Sequence, residues 1–210
     1  MLQNIGQTGI QATRIALGCM RMSDLKGKQA EEVAEAFTKL RAEGKVKHFG
    51  VSNQNRFQME LLQSYLDEPL AVNQLQLSPA HTPMFDAGLN VNMLNKASIE
   101  HDDGILDYCR LKRVTIQAWS PFQIDLSRGL FVNHPDYKEL NETIAKLAKN
   151  YNVSSEAIVI AWILRHPAKM QAIVGSMNPS RLKAIDKAND IALTRKEWYD
   201  IYRSAGNILP

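Results

Sequence analysis

Features that would mark several classes of protein are scarce or missing from this sequence. Its two cysteines, Cys19 and Cys109, lie far apart in no CxxC pattern, which argues against a disulfide framework or a zinc site. The histidines, His48, His81, His101, His134 and His166, show no HxxxH or HExxH spacing, so no metal site is expected. A large excess of either charge is also lacking. The formal net charge is +3, with no dense Lys/Arg stripe and no aromatic–basic interleave, so no nucleic-acid partner is expected. The longest apolar run, 157–164, falls far short of the about 20 residues that a membrane span needs. The N-terminus is polar and lacks the apolar core of a signal peptide, so the expectation is a soluble, cytoplasmic protein with no membrane partner. Linkers rich in Pro, Gly or Ser, low-complexity tracts, nucleophile elbows and Walker loops are absent as well. What remains is an ordinary globular composition, 45% hydrophobic and 22% charged over 210 residues. A chain of that length can bury a sizeable core, and with no second composition regime, 1–210 reads as a single domain.

Periodicity organises the chain. Gly6 and Gly9 separate short alternating segments at 2–5 and 10–12, the pattern of a hairpin with glycine turn chemistry. A compact apolar strand follows at 14–20. Ala30, Val33, Ala34, Phe37 and Leu40 recur at helical spacing, predicting a helix over 29–41 that Gly44 ends, with a strand at 46–51 behind it. Further helices are predicted at 56–66, 103–112, 137–150, 154–165, 179–189 and 194–204, the last capped by Thr194 and Glu197. Strands are predicted at 70–77, 114–119 and 171–174, and loops at 79–88 and 120–135. Strands separated by one or two helices imply a parallel sheet with helices packed outside.

In parallel α/β folds ligands bind at the carboxyl ends of the strands. The residues there are Met20-Arg21-Met22, Ser52-Asn53, Gln74 with Gln76, Trp119-Ser120-Pro121-Phe122 and Gly175-Ser176-Met177-Asn178. Carboxamides suit a flat neutral ring bearing its own amide, because each can donate and accept. Trp119 and Phe122 offer faces for stacking. The turn Gly175 to Arg181 combines hydroxyls, a helix start at Pro179 and a first-turn arginine. It suits a phosphate held by free backbone N–H groups, the helix dipole and a guanidinium. Each feature has a plainer reading: Ser-Asn after a strand is usually a helix cap, a tryptophan is more often core, and Ser176 to Ser180 caps a helix. The acid pairs Asp102-Asp103 and Glu31-Glu32 read as solvated helix-start acids.

In order and spacing, Gly-Lys-Val-Lys-His-Phe-Gly-Val-Ser-Asn (44–53), Val-Asn-Gln (72–74), Ala-Trp-Ser-Pro-Phe (118–122), Arg-Gly-Leu-Phe (128–131) and Ile-Val-Gly-Ser-Met-Asn-Pro-Ser-Arg-Leu (173–182) resemble the aldo-keto reductases over nearly the whole chain. The resemblance is closest to their bacterial NADPH-dependent oxidoreductases, (β/α)8 barrels that reduce aldehydes and ketones. It implies that Ser52, Asn53 and Gln74 hold the nicotinamide carboxamide and that Trp119 stacks on the ring. It further implies that Ser120, Phe122 and Arg128-Gly129 lie beside the pyrophosphate, and that Ser176, Asn178 and Arg181 form the 2′-phosphate pocket. The pattern is incomplete. A phosphate-binding lysine is replaced by Gly175, and two residues near the adenine read Ala184 and Ile185.

The larger departure lies near residues 28–32, where a segment similar to the family's first strand runs directly into one similar to its fourth helix and fifth strand. About three βα units are missing there, and with them the family's Asp-Tyr-Lys-His tetrad. Losing a positioned general acid alone costs about 10²–10⁴ in rate. The expectation is therefore a truncated TIM-barrel-like α/β fold of about five parallel strands with outer helices and an N-terminal hairpin, no catalytic residues, weakened NADP(H) binding and little or no reductase activity. About eight strands leave a barrel interior that side chains just fill, so five should form an open sheet with apolar inner faces and bare edges. That predicts a homodimer or domain-swapped pair. Two alternatives stand beside this reading: an active reductase whose middle segment is not in the sequence, and a self-associating barrel fragment without a ligand.

Overall fold

A computed structural model of the protein describes residues 2–17 and 30–210. The strand-end residues Met20, Arg21 and Met22, Cys19, and residues 28 and 29 of the join at 28–32 lie outside the described residues. The short strands β1 (Leu2–Asn4) and β2 (Gln11–Thr13) form the expected antiparallel hairpin. The rest alternates: β3 (Ile15–Leu17), α1 (Ala30–Ala42), β4 (Gly50–Ser52), α2 (Arg56–Gln63), β5 (Val72–Gln76), α3 (Pro83–Leu89), α4 (Ile105–Lys112) and β6 (Thr115–Trp119). A small antiparallel pair, β7 (Gln123–Asp125) and β8 (Gly129–Leu130), precedes α5 (Lys138–Tyr151), α6 (Ser155–Arg165), β9 (Gln171–Val174), α7 (Pro179–Asp186) and α8 (Arg195–Ser204).

Five of these strands form one all-parallel sheet in the order β3-β9-β6-β5-β4. The expected five-stranded parallel fold is therefore present. The sheet is open: β3 and β4 are its two edges, and among the described residues nothing pairs with their outer sides.

Strand side chains alternate between faces, and the register assigns them. Val51, Asn73, Ile116, Ala118 and Ala172 share one face. Asn73 is fully buried there and reaches Met59 of α2, and Ile116, Ala118, Ala172 and Val174 belong to the main hydrophobic core. This is the face the helices cover. The opposite face carries Ser52, Gln74, Gln76, Thr115, Gln117, Trp119 and Gln171. The expected apolar inner face is thus only partly what forms: Val72 and Ile173 share it, but carboxamides and hydroxyls dominate, because strand alternation sends most of the aliphatic residues to the helices.

Helix α6 explains the longest apolar run. Ala157, Ile158, Val159, Ile160, Ala161, Trp162, Ile163 and Leu164 are all buried, as expected of a helix apolar on every side. Ser154 caps it by accepting from Ala157 N. Trp162 stacks on Trp198 of α8 at 5.0 Å between centroids and 10° between planes. Their indole N–H groups each donate to the other residue's backbone carbonyl at 3.1 Å, so neither buried donor is left without a partner. The capping box on α8 is formed by Thr194 and Glu197 as the sequence indicates.

Two stretches expected to be loops are not. Within 79–88, Pro83 opens α3, whose Phe85 and Ala87 are buried. Within 120–135, the β7–β8 pair forms, and Phe131 beside it is fully buried. The hairpin β1–β2 sits at the amino ends of the sheet. Gly6 N donates to Thr115 Oγ1 at 2.7 Å. A Cβ on Gly6 would lie 2.5 Å from the carbonyl oxygen of Ala71, and its φ is +51°, so only glycine fits there. The carboxyl ends of the strands lie at the opposite end.

Candidate functional site

At those carboxyl ends the structure joins Ser52, Asn53, Gln74 and Trp119. Ser52 ends β4, and its hydroxyl donates to the Gln74 carbonyl at 3.2 Å. Asn53 follows in the left-handed region, φ +54°, which asparagine tolerates better than most residues, and its N–H donates to the same carbonyl at 2.9 Å. The Trp119 indole N–H donates to Asn53 Oδ1 at 3.0 Å. An indole nitrogen can only donate, so it fixes Asn53 with Oδ1 inward and Nδ2 free. Trp119 is half-buried and outside the main core, and no described aromatic ring stacks on it. The reading of Trp119 as core therefore does not hold.

Gln74 is held from its other side. Its Nε2 donates to Gln117 Oε1 at 2.8 Å, Gln117 Nε2 to Gln171 Oε1 at 2.7 Å, and Gln171 Nε2 to the Thr13 carbonyl at 2.5 Å. Gln117 and Gln171 did not emerge from sequence reasoning, because only the strand register brings them into line with Gln74. Asn73 was also missed as a supporting residue. It points to the helix side and donates to the Gln54 carbonyl at 2.8 Å, tying the Ser52–Asn53 turn to β5.

The other predicted residues form two further groups, and no hydrogen bond among the described residues joins either to the first. Ser120, φ +51°, turns the chain out of β6, and its carbonyl accepts from Gln123 N. Phe122 is half-buried and packs against the hydrophobic core. Arg128 is engaged within its own turn: Asp125 accepts from Arg128 Nε at 2.6 Å, from Arg128 N and from Ser127. Those bonds hold the Asp125 carboxyl well below the usual carboxylate range.

After β9, Asn178 is the N-cap of α7. Its Oδ1 accepts from Ser180 N at 3.0 Å and Arg181 N at 3.2 Å, while its own N–H donates to Ser176 Oγ. Pro179 has no N–H, so the first-turn donors expected to be free for a phosphate are already satisfied. The Arg181 guanidinium remains exposed, with Glu156 3.9 Å away.

Two further perturbed groups lie away from these residues. Burial raises the Cys109 thiol to about 12, which leaves it an inert core residue. Asp102 is half-buried and raised to about 6, first by burial and then by its hydrogen bond with Glu100, so it is not the freely solvated acid expected. Among the described residues no group of His, Cys, Asp or Glu could hold a metal ion, and no helix is long and apolar enough to cross a membrane.

NADP(H), implied by the resemblance, can be tested against these groups. A carboxamide offers one carbonyl and one NH2, and Asn53 Nδ2 and Gln74 Oε1 are the free donor and acceptor on neighbouring strands. That part fits. The anion-binding part fits less well, since the α7 amides are occupied and Arg128 is paired.

An arc of parallel strands with helices on one side and polar groups gathered at the carboxyl ends is the architecture of a (β/α)-barrel-type protein. The chain belongs to the aldo/keto reductase family, whose model matches residues 22–205. It is 37% identical over 177 residues to Oxidoreductase YdhF of Escherichia coli, covering 84% of this chain and 53% of that protein. It is 32% identical to a 6-dehydroglucose reductase of Agrobacterium fabrum, covering 84% of this chain and 52% of that protein. The chain thus spans about half the length of the curated relatives it matches. Among solved structures, the thermostable aldo-keto reductase Tm1743 in complex with the inhibitor epalrestat aligns with a TM-score of 0.64 at 24% identity, over 84% of this chain and 55% of that one. The aldose reductase from Giardia lamblia aligns at 0.65 and 19%, over 90% and 58%. At those identities the structures speak to the fold alone.

Proposed function

We propose that this chain binds NADP(H) weakly at the carboxyl ends of its parallel strands and, as the sequence stands, has little or no reductase activity. The observation that carries the reading is the pair of fixed carboxamides with opposite free groups, Asn53 Nδ2 and Gln74 Oε1, beside the unstacked Trp119. When bound, NADPH supplies a hydride to a carbonyl carbon. The residues of this chain orient the ring: Asn53 and Gln74 take its amide, Trp119 offers a face, and Arg181 meets a phosphate.

A proton donor is the missing partner of that chemistry. All six tyrosines lie on or beside helices, and none directly follows a strand of the parallel sheet. Tyr202 donates to Asp86 in the core and Tyr151 to Glu197. No Tyr-Lys-His set assembles among the described strand ends, which supports catalytic deficiency.

The half-length match to its relatives favours a second reading, in which the active reductase carries a middle segment absent from this sequence. The intact mass of the purified protein separates the two: 23.7 kDa supports the first, and a markedly larger mass the second. Isothermal titration with NADPH tests binding, and absence of heat would favour a barrel fragment without ligand. The bare edges of β3 and β4 support self-association into a homodimer or swapped pair.

A further inference from the structure

Resting on that cofactor reading, we propose that Gln117 and Gln171 are positioning residues, forming a relay that fixes which end of the Gln74 amide faces the ligand. An isolated glutamine can present either its carbonyl or its NH2, since the two differ by a half-turn of the terminal torsion. Gln74 has no such choice. The relay ends on the Thr13 backbone carbonyl, 2.5 Å from Gln171 Nε2, and a carbonyl can only accept. Gln171 must therefore turn its Oε1 toward Gln117. Gln117 must meet it with Nε2, at 2.7 Å, and turn its own Oε1 toward Gln74. Gln74 answers with Nε2, at 2.8 Å, which leaves Oε1 as the group at the open end. Every link inverts if the anchor inverts, and the anchor cannot.

The burial gradient agrees with this direction. Gln171, at the anchored end, is 4% exposed, while Gln117 and Gln74 are half-buried. On the far side, the Trp119 indole sets Asn53 the opposite way, with Nδ2 free. The two strand ends are thus coded as one donor and one acceptor, complementary to a primary carboxamide and mismatched to a ketone or a carboxylate at the same position.

The test uses NADPH and its 3-acetylpyridine analogue, in which a methyl ketone replaces the carboxamide, so that the carbonyl is kept and the NH2 lost. Isothermal titration of the wild-type protein should show the analogue binding about tenfold more weakly, the effect of leaving one acceptor unmatched. In Gln171→Met the relay loses its anchor, and the preference should fall below about threefold. Gln117→Met, at a half-buried position, should do the same if the first variant folds poorly. A merely structural role would weaken both ligands equally and leave their ratio unchanged, which would overturn the proposal, as would a wild-type protein with no preference. A second readout needs no dinucleotide. In a ¹⁵N-labelled protein, Gln171→Met should shift the Gln74 side-chain NH2 signals, although the two residues lie two strands apart, and unchanged signals would overturn the relay. If the wild type binds neither ligand, the cofactor reading falls, and the amide spectrum alone decides the relay.

Discussion

Replacing His166 with phenylalanine should remove a pH-dependent share of the stability. His166 caps α6 and lies flat against Phe85, with centroids 4.7 Å apart and planes 14° apart. Its Nδ1 accepts from Ala168 N at 3.2 Å. Burial, helped by the positive charges of Arg110 and Arg165 and opposed by Asp107, lowers its pKa from 6.5 to about 4. The folded protein thus keeps the ring neutral where the unfolded chain would protonate it. Between those values the unfolded state binds more protons, so stability rises with pH. The contribution is complete above 6.5 and is lost as pH falls toward about 4. A fall from 6.5 to about 4 corresponds to about 3 kcal/mol at the limit. Between about pH 7 and 4.5 it amounts to roughly 2 kcal/mol. Asp102 acts in the opposite sense: its carboxyl, raised from 3.8 to about 6, makes stability fall as pH rises through that interval. The wild-type profile alone therefore mixes the two slopes, and the comparison must be with His166→Phe, which keeps the ring stack and cannot titrate. Its lost bond to Ala168 should cost about 1 kcal/mol at every pH. Urea unfolding followed by circular dichroism at about pH 7, 5.5 and 4.5 measures the difference. The wild type should lose roughly 2 kcal/mol relative to the variant across that range. Parallel profiles would refute the reasoning.

Tyr202→Phe should destabilise by about 1–2 kcal/mol, because a fully buried hydroxyl now donating to Asp86 at 2.7 Å is removed; an unchanged urea midpoint would contradict this. Thr194→Ala should cost about 0.5–2 kcal/mol by removing one half of the capping box with Glu197, read as a lower midpoint with an unchanged denaturant slope. If the edges of β3 and β4 drive self-association, sedimentation at micromolar concentration should show a dimer. A stable, well-folded monomer would set that proposal aside.

Much of the fold is legible in local pattern. The run at 157–164 reads as a helix buried on all sides, and α6 is that helix. Thr194 with Glu197 marks the start of α8. Helix α3 is harder to read: seven residues holding Pro83 and Gly88 look like a turn, and only burial of Phe85 and Ala87 makes them helical. The β7–β8 pair is too short for an alternation to register. The site divides in the same way. Ser52, Asn53, Gln74 and Trp119 stand at strand ends and can be picked out from spacing. Gln117 and Gln171 cannot, since Gln117 joins Gln74 across 43 residues and Gln171 joins Gln117 across 54, separations bridged only by strand register. Asn178 shows the converse error. Its turn reads as a source of free amides, yet its own side chain satisfies them.

The central claim is that the strand ends around Asn53, Gln74 and Trp119 still form a surface for NADP(H). Isothermal titration of the 210-residue protein with NADPH tests it most directly, alongside Asn53→Ala. Saturable heat at one site per chain, weakened in the variant, is the predicted result. No heat from the wild type, or binding that Asn53→Ala leaves untouched, would contradict it.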